Sequence, residues 1–190
     1  MVRINFKHIV VVVSLINTVC MGGCVPPTAL VQLTAMNQSD EYAVQQYKLA
    51  ENYRLEENFE KAYRHYRYAA YEGHQEAARW LGKYYYAGIG TKKNYRSARR
   101  IFEMLVQRDD ADLEQEAYLY LCEIDFYGKG RPTTVIQGYK WMLIGTRKNP
   151  AKRKQLEEEL RADIESRQIK TATKFAKSWL QWRNRDTSGI

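Results

Sequence analysis

The side chains best suited to chemistry in this chain are its three histidines, three cysteines and several clustered carboxylates. His65 and His74 could share a metal ion with a nearby glutamate. Two imidazoles without further clustered ligands fall short of the three or four donors that a protein metal site normally supplies, so no metal and no cofactor is expected. Cys122 could act as a nucleophile or redox thiol, but a small buried apolar residue serves equally well at its position. The serines are few, and none sits in a Gly-x-Ser-x-Gly setting. Gly88-x-Gly90 and Gly128-x-Gly130 are too short to cradle a phosphate, and no strand-like segment precedes either. Glu56-Glu57, Asp109-Asp110-Asp112 and Glu157-Glu158-Glu159 read as solvated turns and helix faces, not as an acid/base pair. With no nucleophile, base and orienting group in a common pattern, no catalytic residue is assigned and a noncatalytic protein is expected.

The elements that would carry any binding chemistry are set by composition. The chain has 190 residues, about one domain's worth, and 45% hydrophobic with 27% charged is a globular mixture. All 15 tyrosines fall between Tyr42 and Tyr139, so the middle follows a packing rule that the two ends do not share. The formal charge of +8 would suit nucleic acid or an anionic membrane, and the N-terminus decides between them. Arg3 and Lys7 precede an apolar run, Ile9 to Val19, and no acidic residue occurs before Asp40. This is the pattern of a secretory signal, and eleven residues fall short of the roughly 20 needed to span a bilayer as a helix. Nucleic acid therefore leaves the set of expected partners. Without Arg3 and Lys7 the formal charge becomes +6.

Met21-Gly22-Gly23-Cys24 resembles the lipobox of bacterial lipoproteins. The resemblance implies a signal peptide over 1–23, cleavage before Cys24 and diacylation of its sulfur. Cys20 competes, but Val19 before it is bulkier than the small residue that a signal peptidase expects. Val25 in place of Asp implies sorting to the outer membrane, facing the periplasm; a plainly cleaved signal would instead give a soluble periplasmic protein. Residues 24–40, with Pro26-Pro27, are expected to form a lipidated tether, and its sixteen residues 25–40, if extended, reach at most about 55 Å. The mature chain would keep only Cys122, so stability must come from packing and not from disulfides.

The middle of the chain is a repeat array. Leu81-Gly82-Lys83-Tyr84-Tyr85-Tyr86-Ala87-Gly88-Ile89-Gly90 sets a frame, L-G-x-x-Y-x-x-G-x-G. Leu121, Gly128 and Gly130 recur in register, with Cys122 for the first glycine and Asp125 for the tyrosine. Leu49, Ala50 and Tyr53 match its start in an earlier unit without the two-glycine turn. Second amphipathic segments start near Phe59, Tyr95 and Val135, with small residues Ala62, Ala98 and Gly138 and, four further on, large Tyr66, Phe102 and Met142. Small residues four from large ones let two antiparallel helices approach closely. The paired glycines supply the positive φ that ends each first helix, and Asn58 is placed to cap the second helix of the first unit.

The segment Leu81 to Gly90, followed by Asn94-Tyr95-Arg96-Ser97-Ala98, resembles the Sel1-like repeat, a longer-turned relative of the tetratricopeptide repeat. The first unit has tetratricopeptide spacing, and Ala69-Ala70-Tyr71-Glu72-Gly73-His74 resembles an inter-repeat link. The resemblance implies an all-α, right-handed α-solenoid of antiparallel helix hairpins, with three repeats over 41–147. A capping helix pair follows over 148–183, and 184–190 is a frayed tail. Leu156, Leu160 and Ile164 form one stripe of the cap, and Ile169, Ala172, Ala176 and Trp179 the other.

In tetratricopeptide geometry the core positions are Leu49, Ala50, Tyr53, Leu81, Gly82, Tyr85 and Leu121. The positions two before and two and five after each framing leucine then face a partner groove: Tyr47, Glu51 and Arg54; Arg79, Lys83 and Tyr86; Leu119, Glu123 and Phe126. Aromatic residues beside charges of both signs have interface character, although Tyr86 and Phe126 could equally pack under the neighbouring repeat. Two basic clusters, Lys92-Lys93 with Arg96, Arg99 and Arg100, and Arg147-Lys148 with Lys152, Arg153 and Lys154, could face membrane or partner, or pair with acids on neighbouring helices. The expected function is a lipid-anchored adaptor that binds another envelope or secreted protein. The family resemblance also implies an alternative, an immunity protein that neutralises a phospholipase effector of type VI secretion. Oligomeric state is left open.

Overall fold

A computed structural model describes residues 27–108, 111–130, 132 and 134–183, with side chains from Ser39 onward except at 111 and 112. The described residues form eight α-helices, one 3-10 turn and no strand. The helices are α1 Pro27–Leu55, α2 Phe59–Tyr71, α3 Gln75–Ala87, α4 Tyr95–Leu105, α5 Ala111–Phe126, α6 Val135–Gly145, α7 Pro150–Leu160 and α8 Ser166–Trp182, with the 3-10 turn at Arg161–Asp163. The chain divides into two compact units, Met1–Glu41 and Tyr42–Ile190. Of the first, the described part is the helical stretch 27–41. The segment 1–23 expected to be a signal peptide, Cys24 and the tail 184–190 lie outside the described residues.

The second unit is an α-solenoid of helix hairpins. From α2 to α6 each helix packs on the next, and α8 packs on α6. The hairpins close because each small–large pair meets its partner helix. Ala62, Ala98, Tyr66, Phe102 and Met142 are fully buried. A Cβ on Gly82 would lie 2.8 Å from the Phe102 ring, so the glycine of α3 admits the aromatic of α4. The third hairpin reverses this arrangement: Cys122 fills the first-helix position, and the smallness moves to Gly138 of α6, where a Cβ would stand 2.6 Å from the Phe126 backbone.

The turns repeat in register. In the second unit Ile89 N–H donates to the Tyr84 carbonyl and Asn94 N–H to the Tyr85 carbonyl at 2.7 Å. In the third, Lys129 N–H donates to Ile124 and Thr134 N–H to Asp125 at 2.8 Å, so the substitution at 125 leaves the turn intact. Gly88 (φ 77°) and Gly90 (φ 62°) supply the left-handed backbone expected of them. In the shorter first turn Glu57 takes that conformation (φ 58°), at a cost of about 1–2 kcal/mol for a residue with a Cβ. Asn58 caps α2 as the sequence predicts, accepting from the Lys61 N–H.

Several expectations need correction. The stretch proposed as an extended tether is helical from Pro27, a residue suited to the first turn of a helix. At 1.5 Å per residue its described portion is much shorter than an extended chain. Leu49, expected in the core, is 40% exposed, while Ala50 beside it is fully buried. The tyrosine closing the second unit's core is Tyr84, 2% exposed; Tyr85 is half-buried and exchanges a 2.9 Å hydroxyl hydrogen bond with Tyr63. Ile164 does not continue the α7 stripe: the helix ends at Leu160, and Ile164 is buried in extended conformation (φ −137°, ψ 128°).

In α8, Ala172 and Ala176 are buried as expected and Leu180 joins them. Trp179 meets the rings of Tyr118 and Trp141 edge-on at 5.6 and 5.8 Å. Arg183 then fastens the end of α8 to the Val106 carbonyl at 2.6 Å and to Glu114 at 2.9 Å. This cap covers the apolar face that α6 would otherwise show to water.

Candidate functional site

The first helices of the three hairpins carry a connected polar and aromatic face. On α1, Arg54 donates to Glu51 at 2.7 Å, and Tyr66 of α2 donates to the same carboxylate. Burial alone would raise the Glu51 pKa, but these hydrogen bonds hold it below the usual carboxylate range. The Arg54 guanidinium lies 4.8 Å from the Trp80 ring centre and so reaches from α1 to α3. Trp80 also receives Arg79 at 5.2 Å and Lys83 at 4.7 Å, and its other contacts include a stacked Tyr66 at 5.9 Å. Three cations around one indole make a preordered aromatic platform.

The face continues from α3 to α5. Arg79 donates to Glu76 at 2.6 Å and to Glu116 at 2.8 Å, and Lys83 pairs with Glu116 at 2.6 Å. Burial opposes the charge on Glu116, but the two cations outweigh it and lower its pKa. Tyr86 donates to Glu123, and Lys129 donates to both the Tyr86 hydroxyl and, at 2.9 Å, Glu123. Burial first, then the hydrogen bond to Glu123, pushes Tyr86 up to about 12, so it stays a protonated donor. Tyr47 lies at the other end, stacked on His74 with ring centres 4.3 Å apart.

Eight of the nine groove positions expected from sequence are therefore half-buried or exposed, and seven of them (Tyr47, Glu51, Arg54, Arg79, Lys83, Tyr86 and Glu123) make the contacts just described; Leu119 is half-buried. The ninth is corrected: Phe126 is 2% exposed, drawn inward because Gly138 lets α6 approach its backbone. Sequence reasoning missed Glu76, Trp80 and Glu116. Glu76 and Glu116 stand at matching positions, five before Leu81 and Leu121. That is one turn N-terminal of Arg79 and Leu119 on the same stripe, so extending the stripe by a turn would have found them.

The candidate chemical residues have other roles. His74 caps α3, its Nδ1 accepting from the Ala77 N–H at 3.2 Å. His65 stacks on Tyr53 at 5.2 Å and hydrogen-bonds Gln46 at 2.7 Å. Among the described residues no three histidines, cysteines or carboxylates are grouped to hold a metal ion. Cys122 is 5% exposed, and burial pushes its thiol up to about 12, which keeps it from forming the reactive thiolate. Of the basic clusters, Arg147 pairs with Glu114 at 3.7 Å and Arg153 donates to the Leu143 carbonyl at 3.1 Å. Arg99 is likewise engaged, on Asp125 and Glu103. Arg96 and Arg100 have no carboxylate partner among the described residues.

The solved structures that resemble the chain include the following two. One is a protective antigen present in uropathogenic Escherichia coli strains displaying an SLR fold, 22% identical, TM-score 0.61, covering 73% of this chain. The other is a Sel1 repeat protein from Oxalobacter formigenes, 21% identical, TM-score 0.56, covering 77%. The fold is that of a Sel1-like repeat protein. The chain spans 30% and 61% of the lengths of these two neighbours, less than two thirds of each. No protein-family model and no curated protein matches it. Within the Sel1-like fold, the cross-repeat face of α1, α3 and α5 is the candidate site. Among the described residues no helix is long and apolar enough to cross a membrane.

Proposed function

We propose that the chain is a noncatalytic protein-interaction module whose site is the shared face of α1, α3 and α5. One observation carries this reading. The face bears a ladder of half-buried charges and rings, from Glu51 and Arg54 through Trp80 to Arg79, Lys83 and Glu116, that crosses two repeat boundaries. Side chains held in this way lose little rotamer freedom on binding, which lowers the cost of association. Cations and carboxylates are interspersed along the ladder, so the partner should present a mixed polar and aromatic surface, not a block of one charge.

The N-terminal pattern supports a location. Acylation at Cys24, after removal of 1–23, would hold the module at the periplasmic face of the outer membrane, with 24–40 between lipid and repeats; a plainly cleaved signal would leave it soluble in the periplasm. The partner is then another envelope or secreted protein. Preordering of the face also favours the second reading, an immunity protein, because a rigid complementary surface suits one tightly bound effector.

The test is site-specific photocrosslinking of the full chain in cells, with the reactive residue at Tyr47, Lys83 or Glu123, and at exposed Lys174 of α8 as control. One product shared by the three face positions and absent from the control supports the module. Labelling that is equal at all four positions refutes it. A secreted lipase as the product identifies an immunity protein, and a resident envelope protein identifies an adaptor. A Cys24→Ala variant that fractionates unchanged with membranes would remove the lipid anchor from this reading.

A further inference from the structure

Beside the shared face, which it meets at Lys129, α4 and the loop after α5 enclose a pocket of roughly 360 Å³ lined by Tyr95, Arg96, Arg99, Arg100, Glu103, Lys129 and Gly130. Four of these side chains are cationic and one is acidic. The acid is already engaged: Glu103 accepts from Arg99, whose other edge makes two 3.1 Å hydrogen bonds to the buried carboxylate of Asp125, so one guanidinium is shared between two carboxylates. Arg99 is thus a fixed floor. Gly130 has its own part in shaping the wall, since a Cβ there would meet the Tyr95 Cβ at 2.9 Å; the glycine brings Lys129 and the loop against the Tyr95 ring.

Arg96 and Arg100 are the unexplained residues of this pocket. They stand one helical turn apart on exposed positions, with no carboxylate partner among the described residues. Like charges at that spacing repel along a helix, so the pair is not explained by helix stability. Lys92 and Lys93 add two more cations in the adjoining loop. Two guanidinium forks one turn apart, beside a phenol and near the positive end of α4, match the several acceptor oxygens of a phosphate group. The cavity also has room for the group that carries it.

We propose that this pocket binds a phosphate monoester or diester, with Arg96 and Arg100 as the direct ligands, Tyr95 as the wall and Arg99 as a positioning residue held by Asp125. The ester comes from a soluble molecule or from an acidic phospholipid headgroup, and the two sources are separable.

The experiment uses the full chain in three forms: unchanged, Arg96→Gln with Arg100→Gln, and Lys174→Gln with Lys177→Gln, which removes the same charge from α8. Amide spectra are recorded while inorganic phosphate and then glycerol 3-phosphate are titrated at constant ionic strength with chloride as the balancing anion. In parallel, each form is sedimented with phosphatidylglycerol or phosphatidylcholine vesicles. Saturable shifts confined to 95–100 and 129–130, weakened at least tenfold by the arginine pair and unchanged by the lysine pair, establish a soluble ester as ligand. Retention on phosphatidylglycerol alone, lost with the arginine pair and kept with the lysine pair, establishes the headgroup. Equal effects of the two pairs in both arms overturn the proposal in favour of diffuse charge. Saturation by hexaglutamate in place of phosphate overturns it in favour of an acidic protein segment. The variants lie outside the α1–α3–α5 face, so either result leaves the photocrosslinking test independent.

Discussion

Arg99 of α4 and Asp125 of α5 form a two-pronged ion pair, both bonds 3.1 Å long, at a point where Asp125 has no exposed surface. The Trp141 indole N–H donates to the same carboxylate at 3.1 Å, so one aspartate joins three helices. Lys140 lies close by, its amine 3.4 Å from the Trp141 ring centre, and burial pushes its pKa down to about 8. Where the second repeat has Tyr85, the third has this charged junction.

Removing Asp125 takes from Arg99 its buried partner, leaving it Glu103 alone, and leaves the buried Trp141 indole N–H without this acceptor. Asp125→Ala should therefore cost about 3–5 kcal/mol of stability, read as a lower urea midpoint with an unchanged slope. Asp125→Asn retains a carbonyl acceptor for Trp141 and should fall between the two. A cost below about 1 kcal/mol for Asp125→Ala would mean that the junction does not fasten the third repeat.

Gly138→Ala should destabilise the chain by about 1–3 kcal/mol, because the added methyl stands 2.6 Å from the Phe126 backbone. In an open helix the same change stabilises by about 0.8–1.0 kcal/mol, so the sign alone decides whether α5 and α6 touch there. Thermal unfolding of the variant beside the parent gives that sign.

Both described imidazoles are held below the ordinary histidine pKa: His74 by burial, against the pull of Glu76, and His65 by burial and then the charge of Lys61. Folding thus favours the neutral rings. Their contribution is complete above the unfolded value of about 6.5 and declines as pH falls below it. The midpoint of thermal unfolding should drop between pH 7.5 and pH 5, above the range in which carboxylates such as Glu51 begin to protonate. His74→Asn keeps a capping side chain without titrating, and should make that drop smaller.

Arg79→Glu combined with Tyr86→Ala should weaken partner binding at least about tenfold, near 1.4 kcal/mol, through loss of contacts on both halves of the face. The half-exposed pairs of Arg79 contribute little to folding, about 0–1 kcal/mol for surface pairs, so the effect on affinity should exceed any that they have on unfolding. Titration calorimetry against the crosslinked partner, beside thermal melts, measures both.

Local chemistry in the sequence determined the repeat units. The small–large pairs Ala62–Tyr66, Ala98–Phe102 and Gly138–Met142, the glycine turns and the Asn58 cap all act within a few residues, so spacing alone located them. The stripe two before and two and five after each leucine likewise placed most of the shared face, because helical periodicity puts those positions on one side. What depends on contacts between helices was decided only by the tertiary structure. Phe126 and Tyr86 occupy the same register position, yet Gly138 draws one into the core while Glu123 and Lys129 hold the other at the surface. Leu49 and Leu81 share a frame position, yet only Leu81 is covered by neighbouring helices. Arg96, Arg99 and Arg100 form one basic run, yet only Arg99 finds an acid, because Asp125 arrives beside it from a helix 26 residues along the chain. Burial and pairing depend on what packs opposite a residue, and the sequence around that residue does not contain its opposite.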